Sequence, residues 1–274
     1  MIKTFLCTGD THGSLKRFYP SVFTVEDSKS TAIIVLGDFG ANYYLNHRDI
    51  ELKRAAARMS FTFYLVRGNH EARPQDVAGM ELIYDEDVKG KVYYESAYPN
   101  IRYFLDGEFY NIGGKSTLVI GGAYSIDKDW RLAQGWSWFE NEQLDEDERT
   151  HIYNSVKEYL SSGGHLDLVL THTAPINFEP TQMFLDFIDQ DRVDKTMENW
   201  LQTIYDMVPK DCFFLFGHYH GNLIMGDNVA MLYERIIDLS CIETFDSPNV
   251  EPPEGFKFAY SYQYDREVRG LSLF

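Results

Sequence analysis

The segment FFLFGHYH, residues 213–220, joins four apolar residues to a glycine and then to two histidines that are one residue apart. Four consecutive apolar residues are typical of a strand that is buried on both faces. Such a strand does not require histidines at its end, so the pair indicates a binding site rather than packing. Because His218 and His220 are two residues apart, an extended backbone would direct both imidazoles to the same side.

The same pattern recurs along the chain, as short apolar runs that end in glycine and polar residues. We predict buried strands at six such runs: residues 2–10, 32–38, 61–70, 116–125, 166–172 and 212–220. Apolar residues at helical spacing predict helices at residues 44–59, 146–161 and 192–207. This alternation predicts an α/β fold with helices outside stacked sheets. We find no internal repeat or break in composition, and we expect one domain over residues 1–274.

Turn residues and later apolar runs add three local predictions. Asp106 and Gly107 lie within an alternating run, residues 101–114, and a central Asp-Gly pair predicts a β-hairpin there. Beyond the last histidine, residues 222–240 and 256–265 predict further strands joined by turns.

Composition and charge exclude several classes of protein. Of the 274 residues, 44% are hydrophobic, which is enough for a large core and excludes a disordered chain. A formal net charge of −17 disfavours binding to long nucleic acids or anionic membranes. We see neither a signal peptide nor an apolar run of the roughly 20 residues that a membrane span needs. Cys7, Cys212 and Cys241 form no close pair, so we expect thiols in a reducing, cytoplasmic setting.

The residues that follow the predicted strands are of the types that bind transition metals. They are Asp10, His12, Asp38, Asn69, His172, His218 and His220. Ligands bind outside the carboxyl ends of strands in open α/β sheets, so we expect these side chains to meet in one pocket. Carboxylate, imidazole and amide donors together suit Mn, Fe, Zn or Ni better than Ca or Mg. Seven donors are too many for one ion with an open position, and we expect two divalent ions that share Asp38.

Such a centre has the chemistry to hydrolyse a phosphate ester. Two divalent ions held by two carboxylates and a hydroxide keep a positive charge, which attracts phosphate to an otherwise acidic protein. The ions lower the pKa of water toward about 7 and, about 3.5–4 Å apart, hold the attacking and leaving oxygens. A single aspartate at a strand end is usually a turn residue or a helix cap. The metal hypothesis therefore depends on the joint occurrence of the seven residues.

Five motifs together resemble those of the calcineurin-like metallophosphoesterases, in the order of that family. They are GDTHG at 9–13, GD at 37–38, GNHE at 68–71, TH at 171–172 and GHYH at 217–220. The resemblance implies a four-layer α/β/β/α sandwich of two mixed β-sheets flanked by helices, with a dinuclear centre. Manganese is the first candidate for both ions.

The resemblance also implies a role for each site residue. It implies that Asp10, His12, Asp38 and His220 hold one ion, and that Asp38, Asn69, His172 and His218 hold the other. His70 is implied to be the general acid that protonates the leaving oxygen, a role typically worth about 10²–10⁴-fold in rate. The implied reaction is attack on a phosphomonoester or phosphodiester by a hydroxide that bridges the two ions.

The second motif departs from the family pattern at Ala41. The family often has an acidic residue or a histidine there, which orients the catalytic histidine, whereas this chain reads GDFGAN at 37–42. Asn42, Glu71 or a backbone carbonyl are the candidates for a substitute partner of His70. The front half also resembles the Ser/Thr protein phosphatases, but the arginine of their second motif is absent, which disfavours a phosphoprotein substrate.

Arg131 is the predicted contact to the substrate phosphate. It follows the predicted strand at 116–125 in the segment GGAYSIDKDWR, residues 121–131, which can reach the pocket from a loop. The alternatives for Arg131 are a surface salt bridge or a stacking contact on Trp130.

These patterns predict a phosphoesterase that acts on a small phosphorylated substrate and depends on two divalent ions. The alternative is a metal-binding regulatory module that binds phosphate or a nucleotide and has weakened catalysis because of Ala41. A nuclease for long DNA or RNA is disfavoured by the acidic balance and by the absence of a Lys/Arg cluster. Short oligonucleotides and cyclic dinucleotides stay open as substrates, and the sequence makes no prediction of the oligomeric state.

Overall fold

A computed structural model describes residues 1–246, which contain four α-helices and thirteen β-strands. The helices are α1 (His47–Ala57), α2 (Lys128–Gln134), α3 (Glu146–Ser161) and α4 (Thr196–Met207). The strands are β1 (Thr4–Thr8), β2 (Thr31–Val35), β3 (Thr62–Leu65), β4 (Met80–Asp85), β5 (Gly90–Glu95), β6 (Ile101–Phe104), β7 (Phe109–Ile112), β8 (Lys115–Ile120), β9 (Leu168–Thr171), β10 (Phe213–Phe216), β11 (Leu223–Ile224), β12 (Val229–Met231) and β13 (Ile237–Asp238).

The described strands form two mixed sheets. The first sheet has the order β13-β1-β2-β3-β6-β5-β4, and β1, β2, β3 and β6 are parallel within it. The second sheet has the order β11-β12-β10-β9-β8-β7, and β12, β10, β9 and β8 are parallel within it. The parallel strands at the centre of each sheet read as unbroken apolar runs because both of their faces are buried.

Three hydrophobic cores define four layers. One core lies between the sheets and joins residues such as Ile34 of β2 to Leu215 of β10. A second core packs α3 and α4 on the outer face of the second sheet, where Val156 and Leu201 are buried. A third core packs α1 on the outer face of the first sheet through residues such as Ala56. The predicted four-layer α/β/β/α sandwich is therefore confirmed.

The longest helix has the bounds that its sequence predicts. Asp145 caps α3, accepting a hydrogen bond from the Glu148 amide, while the Glu148 side chain accepts one from the Asp145 amide. This reciprocal capping box fixes where the helix starts, and three acidic residues in the first turn complement the helix dipole. The predicted helices at 44–59 and 192–207 are shorter in the structure, where they are α1 and α4.

The predicted hairpin at Asp106 and Gly107 is wrong. Strand β6 before it pairs with β3 and β5 in the first sheet, whereas β7 after it pairs with β8 in the second sheet. The chain crosses between sheets here because Asp106 binds elsewhere: its carboxylate accepts hydrogen bonds from Arg67 Nε, at 3.0 Å, and from the Gly121 amide, at 2.6 Å. Asp106 thus joins the ends of β3 and β8 instead of closing a two-residue turn.

Some expectations lie partly beyond the described residues. The strand predicted at 256–265 lies outside them, and so does the last part of the single domain expected over 1–274. Within residues 1–246, every helix is too short or too polar to cross a bilayer.

Candidate metal centre

The predicted site residues follow five parallel strands that neighbour one another in the two sheets. In the first sheet, β1, β2 and β3 are adjacent and lead to three of the motifs. In the second sheet, β9 and β10 are adjacent and lead to the other two. The sheets meet at this edge, where His172 Nδ1 after β9 lies 2.7 Å from the Leu36 carbonyl oxygen after β2. The motifs therefore converge, as their positions at strand ends predict.

The candidate ligand atoms form three groups, and within each group they lie within 4.8 Å of one another in the described residues. His12 Nε2 is 2.7 Å from His220 Nε2, and His220 Nε2 is 3.4 Å from Asp10 Oδ2. His172 Nε2 lies 3.7 Å from Asp38 Oδ2. The carboxylates and His172 form a buried floor, whereas the side chains of His12 and His220 keep 34% and 40% of their surface exposed. In the part of the chain that the structure describes, the exposed imidazoles therefore border the face from which a substrate can reach the centre.

Asn69 and His218 complete the predicted donor set. Asn69 Oδ1 lies 2.8 Å from His172 Nε2. The ring of His218 contacts the ring of His172 edge-on at 5.0 Å, and the His218 amide donates a hydrogen bond to Asp10 Oδ1. Desolvation lowers the pKa of His218 to about 3, which keeps its imidazole in the neutral form that a metal ligand requires.

The contact between Asn69 and His172 is explained by a cation. His172 Nδ1 faces a backbone carbonyl and must be its N–H donor, which leaves a lone pair on Nε2 of the neutral ring. Ser125 Oγ donates to Glu142 Oε2 at 2.5 Å and so accepts from Asn69 Nδ2 at 2.8 Å, which turns Asn69 Oδ1 toward His172. Two acceptors thus face each other at 2.8 Å, an arrangement that a bound positive ion stabilises.

A second observation supports the same interpretation. Asp10 is buried, and its Oδ2 accepts no hydrogen bond from the residues whose side chains the structure describes, 1–242. A buried carboxylate oxygen without a donor is costly unless a cation satisfies it. Together with the facing nitrogens of His12 and His220, this oxygen makes a mixed nitrogen and oxygen donor set that fits a divalent transition metal.

The glycines that precede the ligands are required by close packing. A Cβ added to Gly68 would overlap Asp38 Oδ1, and one added to Gly217 would overlap Asp10 Oδ1. The motifs from different strands therefore approach so closely that a backbone without a side chain is needed between them.

The local backbone differs from the extended form that the spacing of the ligands predicts. Four predicted ligands have positive φ angles, which place them in the left-handed region: His12 at 45°, Asp38 at 50°, His218 at 68° and His220 at 53°. Their imidazoles consequently do not point the same way. His218 turns toward His172 of the second sheet, and His220 turns toward His12 of the first. Residues in this region are strained, and such strain concentrates at functional sites.

His70 lies at the rim of the site and has an unexpected neighbour. His70 Nε2 is 4.0 Å from Asp38 Oδ2. Its other nitrogen, Nδ1, contacts a guanidinium nitrogen of Arg131, a residue that is only 1% exposed. Glu71 is not the partner of His70, because its carboxylate accepts from the amides of Gly40 and Gly68. The predicted role of Arg131 at the substrate phosphate stays a prediction, since its guanidinium lies against His70.

The segment 121–145, which contains α2, is attached to the loop after β3. Arg67 Nη1 donates to the Glu142 carbonyl at 2.6 Å, and Arg73 Nε donates to the Asn141 carbonyl at 2.9 Å. In the sequence, Asn69 and His70 lie between Arg67 and Arg73, so both sides of this stretch are bonded to the segment 121–145. No local motif marks α2, Ser125 or Glu142, so these parts of the site were not predicted from the sequence.

Replacement of Ser125 by alanine is expected to weaken metal binding. Without the hydroxyl, the Asn69 amide loses the partner that turns its oxygen toward the centre, and such supporting contacts are typically worth about 10–100-fold in metal affinity. A chelator competition titration with Zn²⁺ measures the loss. The matched control is Ser161→Ala at the exposed end of α3, which should leave the affinity unchanged. Equal zinc affinities in wild type and Ser125→Ala would contradict the assignment.

A buried carboxyl group lies behind the site. Glu198 Oε1 accepts a hydrogen bond from Thr173 Oγ1 at 2.7 Å, and that hydroxyl also contacts the Tyr219 hydroxyl at 3.1 Å. Glu198 Oε2 has no hydrogen-bond partner among residues 1–246. Burial raises the pKa of Glu198 to about 7, with a further contribution from the charge of Glu179 and in spite of the bond from Thr173.

The raised pKa of Glu198 predicts a pH-dependent stability. Because the folded protein holds this proton more tightly than the unfolded chain, the stabilisation is complete below pH about 4.5 and is lost as the pH rises through about 7. Glu198→Gln keeps the hydrogen bond without the charge, so it should raise the free energy of unfolding at pH 8 by roughly 2–3 kcal/mol relative to its effect at pH 4.5. Urea unfolding at both pH values measures this. Exposed Glu146→Gln is the control, and a pH-independent effect of Glu198→Gln would contradict the prediction.

Comparisons with known proteins agree with the geometry. A sequence model described as calcineurin-like phosphoesterase matches residues 3–222. A search of curated proteins gives no significant match. One solved crystal structure aligns with 88% of this chain and 96% of its own at 16% identity, and its TM-score of 0.46 is too low to carry an argument. The family match spans all five motifs, so the chain belongs to the calcineurin-like phosphoesterases, metal-dependent hydrolases of phosphoester bonds.

Proposed function

We propose that the protein hydrolyses a small phosphorylated substrate with two bound divalent ions, manganese being the first candidate, and with His70 as the general acid. The observation that carries the proposal is the contact between Asn69 Oδ1 and His172 Nε2, in which two acceptors face each other beside Asp38. Bound divalent ions would polarise the phosphoryl oxygens and make hydroxide available at neutral pH.

The residues of the chain have separate tasks in this reaction. Asp10, His12, Asp38 and His220 would hold one ion, and Asp38, Asn69, His172 and His218 the other. His70 stands at the exposed rim with Nε2 toward the centre, where a hydrogen on that nitrogen can pass to the leaving oxygen.

The charge of the chain supports a small substrate. A net charge of −17 repels long polyanions, whereas a metal centre at the exposed end of the site attracts a single phosphate group. We propose a cytoplasmic location, which is supported by the reduced, buried thiols of Cys7 and Cys212.

A second candidate function is favoured by Ala41. Its buried methyl group cannot orient His70, so a regulatory module that binds phosphate or a nucleotide with little turnover is the alternative. Binding of inorganic phosphate or a nucleotide with wild-type metal content, but without hydrolysis, is the result that would support it.

Turnover with defined metals tests the proposal. Metal-free protein is loaded separately with Mn²⁺, Ni²⁺ and Zn²⁺, its metal content is measured, and hydrolysis of p-nitrophenyl phosphate and its bis ester is followed. A panel of phosphorylated metabolites then identifies the substrate class. We expect turnover above a protein-free metal blank. Loaded protein that turns over none of these compounds contradicts the proposal.

A further inference from the structure

We propose that Arg131 is the positioning partner of His70, in place of the side chain that is missing at Ala41. The proposal rests on the proposed function only in that His70 is taken as the group that protonates the leaving oxygen. Arg131 comes from α2, 61 residues further along the chain, so the partner is supplied by a different segment from the one that the family motif uses.

The contacts of Arg131 fix its guanidinium in one place. Arg131 Nε donates to Asp127 Oδ2 at 2.9 Å, Nη1 donates to the Ser137 carbonyl at 3.3 Å, and Nη2 contacts His70 Nδ1. All three nitrogens therefore have a partner in the protein, and the residue is buried. A guanidinium held in this way is pre-organised, because its planar fork loses little freedom for each bond formed.

The contact determines which nitrogen of His70 carries the hydrogen. Arginine has donors but no lone pair, so His70 Nδ1 must be the acceptor. The hydrogen of the neutral ring is then on Nε2, the nitrogen that faces Asp38 Oδ2 at 4.0 Å. Arg131 thus directs an N–H of His70 toward the centre. When that hydrogen passes to the leaving oxygen the ring becomes an imidazolate, whose negative charge the adjacent Arg131 guanidinium stabilises.

Packing limits rotation of the His70 ring. The ring of Tyr43 is inclined to it by 30°, with centroids 6.1 Å apart, and Arg131 Cζ lies 5.3 Å from the centroid of Tyr43. Tyr43 therefore contacts both members of the pair. A flip of the imidazole would turn its Cδ2–H toward the guanidinium and lose the contact, and a change of tautomer would direct an N–H at a group that cannot accept it. The arrangement therefore favours one ring orientation and one tautomer.

This role differs from the phosphate contact that the sequence predicts for Arg131. A phosphate-binding arginine directs its N–H groups at the substrate, whereas each of the three nitrogens of Arg131 directs one at a protein partner: Asp127, Ser137 or His70. The two roles have different consequences. Loss of a phosphate contact weakens binding of every substrate and of inorganic phosphate, whereas loss of a positioning partner slows only reactions that need protonation of the leaving oxygen.

The tautomer of His70 can be measured directly. Protein with ¹⁵N-labelled histidine is loaded with Zn²⁺, and long-range ¹H–¹⁵N spectra assign the hydrogen to Nδ1 or Nε2; comparison with His70→Asn identifies the signals of His70. We expect the Nε2–H form in wild type and in Arg131→Lys, which keeps a donor without a lone pair. Arg131→Met should show the Nδ1–H form or a mixture. An unchanged Nε2–H form in Arg131→Met overturns the proposal.

Leaving-group dependence is the second measurement. In Arg131→Met, kcat/KM should fall about 10–100-fold for phenyl phosphate but less than about threefold for p-nitrophenyl phosphate, whose leaving oxygen needs little protonation. The inhibition constant of inorganic phosphate should stay at the wild-type value. Equal losses for both esters, together with weaker phosphate inhibition, would assign Arg131 to phosphate binding instead.

A second variant and one further outcome separate the role of Arg131 from the proposed function. Asp127→Asn retains Arg131 but weakens its anchor, so it should show the same leaving-group pattern to a smaller extent, and it serves if Arg131→Met does not fold. If wild type loaded with Mn²⁺, Ni²⁺ or Zn²⁺ hydrolyses neither the esters nor any compound of the panel, the proposed function fails, and the tautomer spectra of the zinc-loaded protein still decide whether Arg131 positions His70.

Discussion

Asp38→Asn is expected to leave the protein without bound metal and without phosphoesterase activity. Asp38 belongs to both implied ligand sets, and the structure groups it with His172 of one set and, separately, with His12 of the other. Asparagine keeps the shape of the side chain but removes the negative charge that both ions would share. Activity should fall by on the order of 10⁴-fold or more, because the metal-derived nucleophile is lost. Elemental analysis after gel filtration gives the metal content of each variant.

Asp10→Asn is the matched control for Asp38→Asn. Asp10 is implied to bind one ion only, so its replacement should leave about one ion for each chain, in the site that contains His172 and Asn69. The comparison distinguishes a shared carboxylate from two independent ones. An Asp38→Asn variant that still binds two ions for each chain would remove the basis for a bridged centre.

His70→Ala is expected to abolish most turnover while the metal content stays unchanged. His70 stands at the rim, and the implied ligand sets do not include it, so its loss removes a proton donor and leaves the ions in place. The rate with phenyl phosphate should fall about 10²–10⁴-fold, in the range typical of general acid catalysis. The rate with p-nitrophenyl phosphate should fall less, because this leaving group departs without a proton.

Metal analysis and a surface histidine complete the test of His70. His151 is exposed on α3, and His151→Ala should retain both metal and activity. His70 Nε2 lies 4.0 Å from Asp38 Oδ2, close enough for both to contact one ion. A His70→Ala protein that has lost its ions would therefore show that His70 acts in metal binding.

Much of the fold was predictable because its signals are local. Each buried strand of the parallel centre is a short apolar run, and the polar residue after it is found at the same sheet edge because parallel strands end together. Helix α3 was predicted with its bounds because its apolar residues recur at helical spacing, and the capping box of Asp145 and Glu148 fixes its start at the same place.

The features that were not predictable depend on distant partners. The Asp-Gly pair at 106–107 has the composition of a hairpin turn, but the turn is overridden by bonds from Arg67 and Gly121 that no local rule contains. In the same way, Arg131 meets His70 only because the segment 121–145 folds back onto the loop after β3. The substitute for a missing motif residue therefore had no signal in the motif itself.

The left-handed backbone at the ligands also escaped prediction, because residue spacing alone assumes an extended chain. The conformation is set by the crowding of several strand ends, as the overlap expected for a Cβ at Gly68 or Gly217 shows. The convergence of the candidate ligands was thus predictable from the sequence, whereas the direction of each side chain required the assembled sheets.

The left-handed conformations at His12, Asp38, His218 and His220 create a conflict between thermal stability and activity. Each costs on the order of 1 kcal/mol or more, and glycine or asparagine adopts the same φ angles more easily. A library of variants screened only for thermal stability should therefore be enriched in Gly and Asn at these four positions. The selected variants should lose activity as their thermal stability rises. At these four positions the protein is less stable than it could be because its activity requires these residues.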